Sequence, residues 1–321
     1  MARITDVARR AGVSPSTVSY ALSGKRPISA ETRRRVEEAA RELGYRPQPV
    51  PPAHGAPNVL AVAAPLRPGV HLPALMRLTQ SVVTAARGYD HDVLLLTGEE
   101  GLSRSAVPAP ARVLLVVDVG LHDPRLPVLR SLGRPAVLIG LPAERPGLPC
   151  VDLDYRAAGE VCVHHLAALG HRAVALLGPP PEVYVRETAS ARRLVEGFTA
   201  AADRHRMASS VHPAEGSGAP ALVDRLLGAH PAPTAVIVQN DALVVPLLTA
   251  LRQRGRRIPE DMSVLAVGTD VPETVSAVTV PSAELGTLGV ELLLRERTGP
   301  PVPRTTLLPP RLTERGSTGR A

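Results

Sequence analysis

The sequence predicts an α/β chain in which a small all-helical unit precedes two doubly wound lobes of parallel sheet. Three observations lead there. Residues 4–46 break into three short helical segments with a sharp turn between the first two. From residue 58 onward, apolar runs rich in β-formers alternate with helical patterns, which is how parallel sheets covered by helices read. That alternation occurs in two series, and the chain's 321 residues, 44% of them hydrophobic, leave enough length behind the helical unit for two lobes of ordinary size.

Each helix of the N-terminal segment has a chemical start and stop. Thr5 is placed to cap the first, whose Ile4, Val7, Ala8 and Ala11 fall on one face before Gly12 interrupts it. Ser14 caps the second, and Pro15 suits its first position because the missing N–H would have had no intrahelical partner. Ser29 opens the third, Val36, Ala39, Ala40 and Leu43 form its apolar stripe, and Gly44 closes it.

On the second helix Val18 and Leu22 must face the small core, so Ser16 and Tyr20 point away from it, each about 200° from Val18. Thr17 and Ser19 lie on the flanks, where hydroxyls can hold phosphate oxygens without reading sequence. A polar helix face is often merely solvated, but charge argues otherwise here. Residues 1–50 carry nine arginines and Lys25 against Asp6, Glu31, Glu37, Glu38 and Glu42, a net of +5 out of the chain's +7. A basic module on a nearly neutral body is an electrostatic footprint for nucleic acid.

In the first lobe the runs at 58–64, 92–97, 112–118 and 136–140 read as strands, with a helix from about Pro73 to Arg87. The second series has helices near 156–169, 187–205 and 242–254, and strands at 172–178, 234–239 and 262–268. Ligands in such sheets sit beyond the carboxyl ends of the strands, which directs attention to Pro68, His71, Gly140, Pro179, Asn240 and Asp270. Between Thr97 and Arg112 the sequence leaves little room for a covering helix.

The pattern I-x-D-V-A-x-x-A-G-V-S-x-x-T-V-S followed by S-x-x-T-R-x-x-V-x-x-A-A-x-E-L-G-Y-x-P, running from Ile4 to Pro47, resembles the headpiece of the lactose-repressor/galactose-repressor (LacI/GalR) family of bacterial transcription regulators. The resemblance implies that the second helix enters the major groove with Pro15, Ser16 and Tyr20 towards the bases. Thr5, Ser14, Thr17, Ser19 and Arg33 complete the candidate DNA-contacting set. Later pieces, among them H-L-A-A-L-G-H-R (165–172), N-D-A (240–242), I-P-E-D-M-S-V-L-A-V-G-x-D (258–270) and L-L-P-P-R-L-T-E-R-G-S-T (307–318), are similar to the family's sensor domain, itself similar to periplasmic sugar-binding proteins. The resemblance implies two lobes joined by three crossings, here near Asp154, Val280 and Thr305, and pairing of sensor domains into a dimer.

For the effector, the resemblance carries Asn240 and Asp270 over as hydrogen-bonding positions and leaves Arg193 as the nearest arginine to a position occupied here by Leu194. Asn240 also reads as a helix N-cap and Asp270 as a turn residue, and the sequence leaves both pairs of readings open. Gly140 and Thr269 depart from the family's Asp and aromatic, and with no Trp, one Phe and five Tyr there are few platforms for a sugar ring. The family's hinge helix, with its leucine wedge, is replaced by Q-P-V-P-P-A-H-G-A-P (48–57), whose prolines remove backbone donors.

Other classes find no support. No Cys/His spacing suits a metal, and no phosphate-binding loop, nucleophile elbow or cofactor motif is present, so neither an enzyme nor a cofactor is expected. Adjacent His164 and His165 diverge on their helix, and Cys150 and Cys162 are expected to be reduced and buried. With no signal peptide or membrane-spanning run, the expected location is cytoplasmic. The expected plan is a helix-turn-helix domain (1–47), a Pro-rich linker (48–57), an effector-binding and dimerisation domain (58–313) and a tail (314–321). Within that domain the first lobe takes about 58–154 and 281–304 and the second about 155–280 and 305–313. The expected protein is a homodimeric regulator, most simply a repressor, of double-stranded operator DNA with a small-molecule effector. A regulator without an effector and a ligand-binding protein with a vestigial headpiece are the alternatives.

Overall fold

The computed structural model describes residues 4–15, 17, 18, 21, 29–43, 58–98, 102, 111–144, 147–214, 218–298 and 304–321. They divide into two compact units, Met1–Ala56 and Pro57–Ala321. The linker 48–57 and nearly all of the segment between Thr97 and Arg112 lie outside the described residues, as do Leu22 and Gly44.

In the first unit α1 (Ile4–Ala11) and α2 (Ala30–Glu42) flank a helical stretch that includes Pro15, Thr17, Val18 and Ala21. Val7, Ala8, Ala11, Val18, Ala21, Val36, Ala39 and Ala40 bury together as its core. Gly12 turns the chain at φ 66°, and the Arg35 guanidinium seals the end of α1 by donating to the Ala11 carbonyl. Two expectations are corrected. Thr5 lies inside α1, which already begins at Ile4, so it cannot be the cap that precedes a helix. Leu43 follows the last helical residue and is 38% exposed, because the end of α2 removes it from the stripe.

The second unit contains two six-stranded sheets. The first lobe is built from β1 (Val59–Ala63), α3 (Leu72–Arg87), β2 (Asp92–Leu96), β3 (Ala111–Val116), α4 (Arg125–Leu132), β4 (Ala136–Ile139) and β5 (Cys150–Leu153). The second holds α5 (Tyr155–Ala168), β6 (Ala173–Gly178), α6 (Pro181–Val185), α7 (Ala189–Arg204), β7 (Ala208–Pro213), α8 (Gly218–Leu227), β8 (Ala235–Val238), α9 (Asp241–Gln253), β9 (Ser263–Gly268) and β10 (Ser276–Thr279). The chain then returns to the first lobe for α10 (Ser282–Thr298) and β11 (Thr305–Leu308), and ends on the second with β12 (Leu312–Thr313). Strand orders are β11-β5-β4-β3-β1-β2 and β12-β10-β9-β8-β6-β7, parallel throughout except that β12 runs against β10.

Successive residues of a strand face opposite sides, so each central strand feeds two cores. Leu60 and Val62 pack on one face of the first sheet, Ala61 and Ala63 on the other. In the second lobe Val174 and Leu176 oppose Ala175 and Leu177 in the same way. Burial on both faces is why these strands read as continuous apolar runs.

The chain passes between the lobes at Asp154 and again at Val280, and its third passage lies beyond Thr305. Thr305 to Leu308 pair in register with Cys150 to Leu153, and Leu308 packs on the first core, so the chain leaves this lobe at 309–311 rather than at Thr305. Residues read as a tail are docked on the second lobe. Ser317 Oγ donates to the Val264 carbonyl at 2.6 Å and accepts from Ser276 N at 2.7 Å. Buried His171 meets Thr234 Oγ1, Ser263 Oγ and the Gly319 carbonyl at 2.8–3.1 Å, and burial holds its imidazole below the usual range. Cys150 and Cys162 are free and buried, with burial pushing both thiols up, Cys150 to about 12. His164 and His165 diverge as expected, one meeting His205 at 2.6 Å and the other Thr318 at 3.0 Å.

Candidate functional site

The DNA-reading face is set by how the second helix begins. Ser14 Oγ accepts from the Thr17 amide at 3.1 Å and lies 2.8 Å from Thr17 Oγ1, so the cap is made and the Thr17 hydroxyl is positioned by it. Pro15 is helical and exposed beside it, and Thr17 is half-buried. Ser29 caps α2 in the same manner through Thr32 N at 3.3 Å. Arg33 is exposed on α2, and Thr5 is exposed in the first turn of α1. Ser16, Ser19 and Tyr20 lie outside the described residues.

A cleft of about 290 Å³ lies between the lobes of the second unit, at the carboxyl ends of β1, β3, β4, β6, β8 and β9. Of the positions expected there, His71, Gly140, Pro179 and Asn240 line it. Asn240 occupies the N-cap position of α9, yet its side chain makes no capping bond and is left to the cleft. Asp241 does the work next door: its Oδ2 accepts from Thr269 N at 2.9 Å and Asp270 N at 3.1 Å, and stands 3.5 Å from His71 of the other lobe.

Asp270 and Arg193 are placed elsewhere. Asp270 is not among the lining residues; its exposed carboxylate pairs with Arg77 of α3 at 2.7 Å, joining one lobe to the other. Arg193 turns to the carbonyls of Leu141 and Pro142, both at 3.2 Å, and lines a separate cavity with Glu144 and Arg304. One residue on, Leu194 is fully buried in the second-lobe core, and the helical rotation between the two leaves neither side chain for the cleft. At Gly140 the backbone has φ 136°, and a Cβ would come 2.6 Å from that of Val119, so this position has no room for a carboxylate.

Several cleft residues were passed over in the sequence. Asp118 follows β3 with φ 53°, a left-handed conformation held by Arg125, whose Nη2 donates to the Val117 and Asp118 carbonyls at 3.1 and 2.8 Å. Arg125 is itself clamped to buried Asp123, with Nη2 to Oδ2 at 2.7 Å and Nε to Oδ1 at 2.9 Å. Gln239 donates to the Ser190 carbonyl at 3.3 Å, and Arg186 to that of Pro68 across the lobes at 2.9 Å. Backbone bonds reinforce the junction: Leu121 N to Glu187 O at 2.8 Å and Ala189 N to Val119 O at 2.9 Å. Asp118 and Asp241 had a usable signal, since each directly follows an apolar run or the expected contact Asn240.

Buried Asp152 lines the cleft with its carboxyl pushed up to about 7, mainly by burial and against the amide bonds of Leu153 and Leu141 and the charge of Arg193. An acid whose pKa rises on folding holds its proton more tightly in the native state, so stability falls as pH climbs from about 4 to about 7. Asp152→Asn is expected to raise stability at pH 8 by roughly 1–3 kcal/mol and to flatten that window of the pH profile. Urea unfolding of both proteins at pH 5 and pH 8 checks this; equal differences at the two values would contradict it.

A basic helical unit followed by a two-lobed sheet domain with a cleft at its strand ends is the plan of a DNA-binding regulator. The bacterial regulatory protein model of the lacI family matches residues 3–48, and the periplasmic binding protein-like domain model matches residues 163–318. The transcriptional regulator MalR of Streptomyces coelicolor is 31% identical over 351 aligned positions, covering 99% of this chain and 97% of MalR. The transcriptional repressor CytR of Escherichia coli is 28% identical, covering 93% of this chain and 90% of CytR. Two solved structures share the fold: a lac repressor dimer bound to operator and the anti-inducer ONPF (TM-score 0.69, 23% identity, 99% of each chain) and the regulator CelR with cellobiose (TM-score 0.67, 24% identity, 99% of this chain and 100% of CelR). The chain belongs to the LacI family of bacterial regulatory proteins. It is a DNA-binding transcription regulator and not an enzyme.

Proposed function

We propose that the chain is a homodimeric repressor that binds a pseudo-palindromic operator and is modulated by a small molecule in the cleft between its lobes. The observation that carries the DNA-reading part is the capped start of the second helix at Ser14 and Pro15, inside a unit that holds +5 of the chain's charge. Support for pairing comes from α3, where Leu72, Met76 and Val83 are 50%, 40% and 36% exposed on one helical face. A second copy of the chain is the occupant we assign to that stripe, and the lac repressor of similar fold is itself a dimer. Support for an effector is the cleft, whose unpartnered polar atoms argue for a ligand over an effector-independent regulator.

Protection of DNA from the neighbouring operons should show an inverted repeat, with both halves lost together as salt rises because each neutralised phosphate releases counterions. Uniform protection of all sequences, or of a single half-site, would defeat the reading. Met76→Glu should convert the dimer to monomer in sedimentation and weaken protection of both halves. Without a leucine wedge, and with proline at 49, 51 and 52, the operator centre should bend less than the ~20–90° of minor-groove wedges.

A further inference from the structure

We propose that the cleft takes a small cationic ligand, a protonated amine carried on a compact polar frame; the inference rests on the effector reading above. Among the described residues its wall carries three carboxyl side chains, Asp118, Asp152 and Asp241, against one guanidinium, Arg186, and the imidazole of His71. Lysine cannot restore the balance, because the chain's one lysine is Lys25 of the N-terminal unit. Arg193 stays off the wall, its guanidinium turned to the carbonyls of Leu141 and Pro142, and its charge reaches Asp152 alone among the three carboxyls.

The unfilled valences carry the same sign. Asp118 Oδ2 and Gln239 Oε1 are buried acceptors without a hydrogen-bond partner among the described residues. Gln239 is held through its amide nitrogen on Ser190, which fixes the oxygen as the atom left over. Asp118 is kept in its left-handed conformation by Arg125, so its carboxylate is delivered to the cleft at a cost in backbone strain. A buried carboxylate must be paired or become neutral, and a protonated amine supplies a charge and three donors at one atom. A neutral polyol satisfies the acceptors but leaves the charge, and an acid adds to it.

One further atom shapes the frame. Arg186 Nε is buried without a hydrogen-bond partner among the described residues, so a hydroxyl oxygen on the ligand finds a place there, while His71 Nδ1 already stands 3.5 Å from Asp241 Oδ2. Among the described residues Tyr155 is the one Phe, Tyr or Trp side chain on the wall, which gives little for ring stacking, and the volume of about 290 Å³ is at the small end for ligand pockets, roughly 300–1,000 Å³.

The test uses the full-length chain and three matched series in calorimetric titration: glucosamine, glucose and gluconate; putrescine, 1,4-butanediol and succinate; cyclohexylamine, cyclohexanol and cyclohexanecarboxylate. In at least one series the amine is expected to bind about tenfold or more tightly than its neutral partner, with the acid weakest. Asp118→Asn should erase that preference, and Gln239→Glu should increase it, so a variant that fails to fold leaves the other to decide. The proposal is overturned if no amine exceeds its neutral counterpart, if the acid binds best through Arg186, or if both folded variants keep the wild-type preference. Operator binding by the same unliganded preparation tests the regulator reading separately. Its retention alongside indifference to amines would defeat this inference alone.

Discussion

Gly197→Val is expected to destabilise the second lobe by about 3 kcal/mol or more, the upper part of the range for forcing atoms into a packed core. The helices α5 and α7 approach each other at backbone distance through two glycines. A Cβ on Gly197 would fall 1.9 Å from the Arg156 carbonyl oxygen, and one on Gly159 would fall 2.5 Å from that of Leu194 and 2.7 Å from Phe198 N. Because the obstacles are backbone atoms, no rotamer change relieves them and the helices must separate. Separation opens the core around Phe198, the chain's one phenylalanine, and shifts the start of α7, where Ala189 N binds Val119 across the cleft. Thermal unfolding should show a drop of roughly 6–12 °C. Glu196→Ala, one exposed residue away, should stay within about 0.5 kcal/mol of wild type.

Arg125→Met should cost about 3–5 kcal/mol, because it strands a buried carboxylate. Arg125 and Asp123 are 8% and 4% exposed at their side chains. Burial alone would push the Asp123 carboxyl up, but the Arg125 hydrogen bond and charge, with the amides of Arg125 and Gly120, hold it below its ordinary value. A depressed acid stabilises the fold above its unfolded pKa of about 3.8 and loses that contribution as pH falls through its lower folded value. The variant's deficit should therefore be full near neutral pH and shrink as acid protonates the stranded Asp123, and adding Asp123→Asn should recover part of the loss in the same way, by removing the charge. Arg125 also holds Asp118, so the single variant should weaken any cleft ligand even where it remains folded.

Periodicity made the main elements legible wherever one residue type dominated a face. Strands buried on both sides announced themselves as apolar runs, and the caps at Ser14 and Ser29 could be named from residue chemistry alone. The edge strand β11 was missed because Thr305 to Leu308 alternates exposed and half-buried positions in a short stretch, and only its pairing with β5 assigns it to the first lobe. The docked end was missed for a related reason, since Ser317 and Gly319 act through hydrogen bonds to Val264, Ser276 and Ser263, on strands distant in sequence.

In the site, a rule about strand ends found Asn240, His71 and Gly140 but could not rank Asp241 over Asp270. That distinction depends on which carboxylate caps the β9 turn and which reaches Arg77 on the other lobe. Arg193 illustrates the limit of carrying a position over by proximity. A single step along a helix turned it towards Leu141 and buried Leu194 in its place.

Whether residues 4–46 read operator sequence is decided by selection from random duplex DNA with the wild-type chain and with Tyr20→Ala. Wild type should enrich an inverted repeat, and the variant should show a changed base preference in each half-site, with a loss of roughly 1–3 kcal/mol on the original sequence. Thr17→Ala, run alongside, should weaken all sequences alike. No enriched repeat from wild type, or an equal loss on every sequence with Tyr20→Ala, would contradict the account.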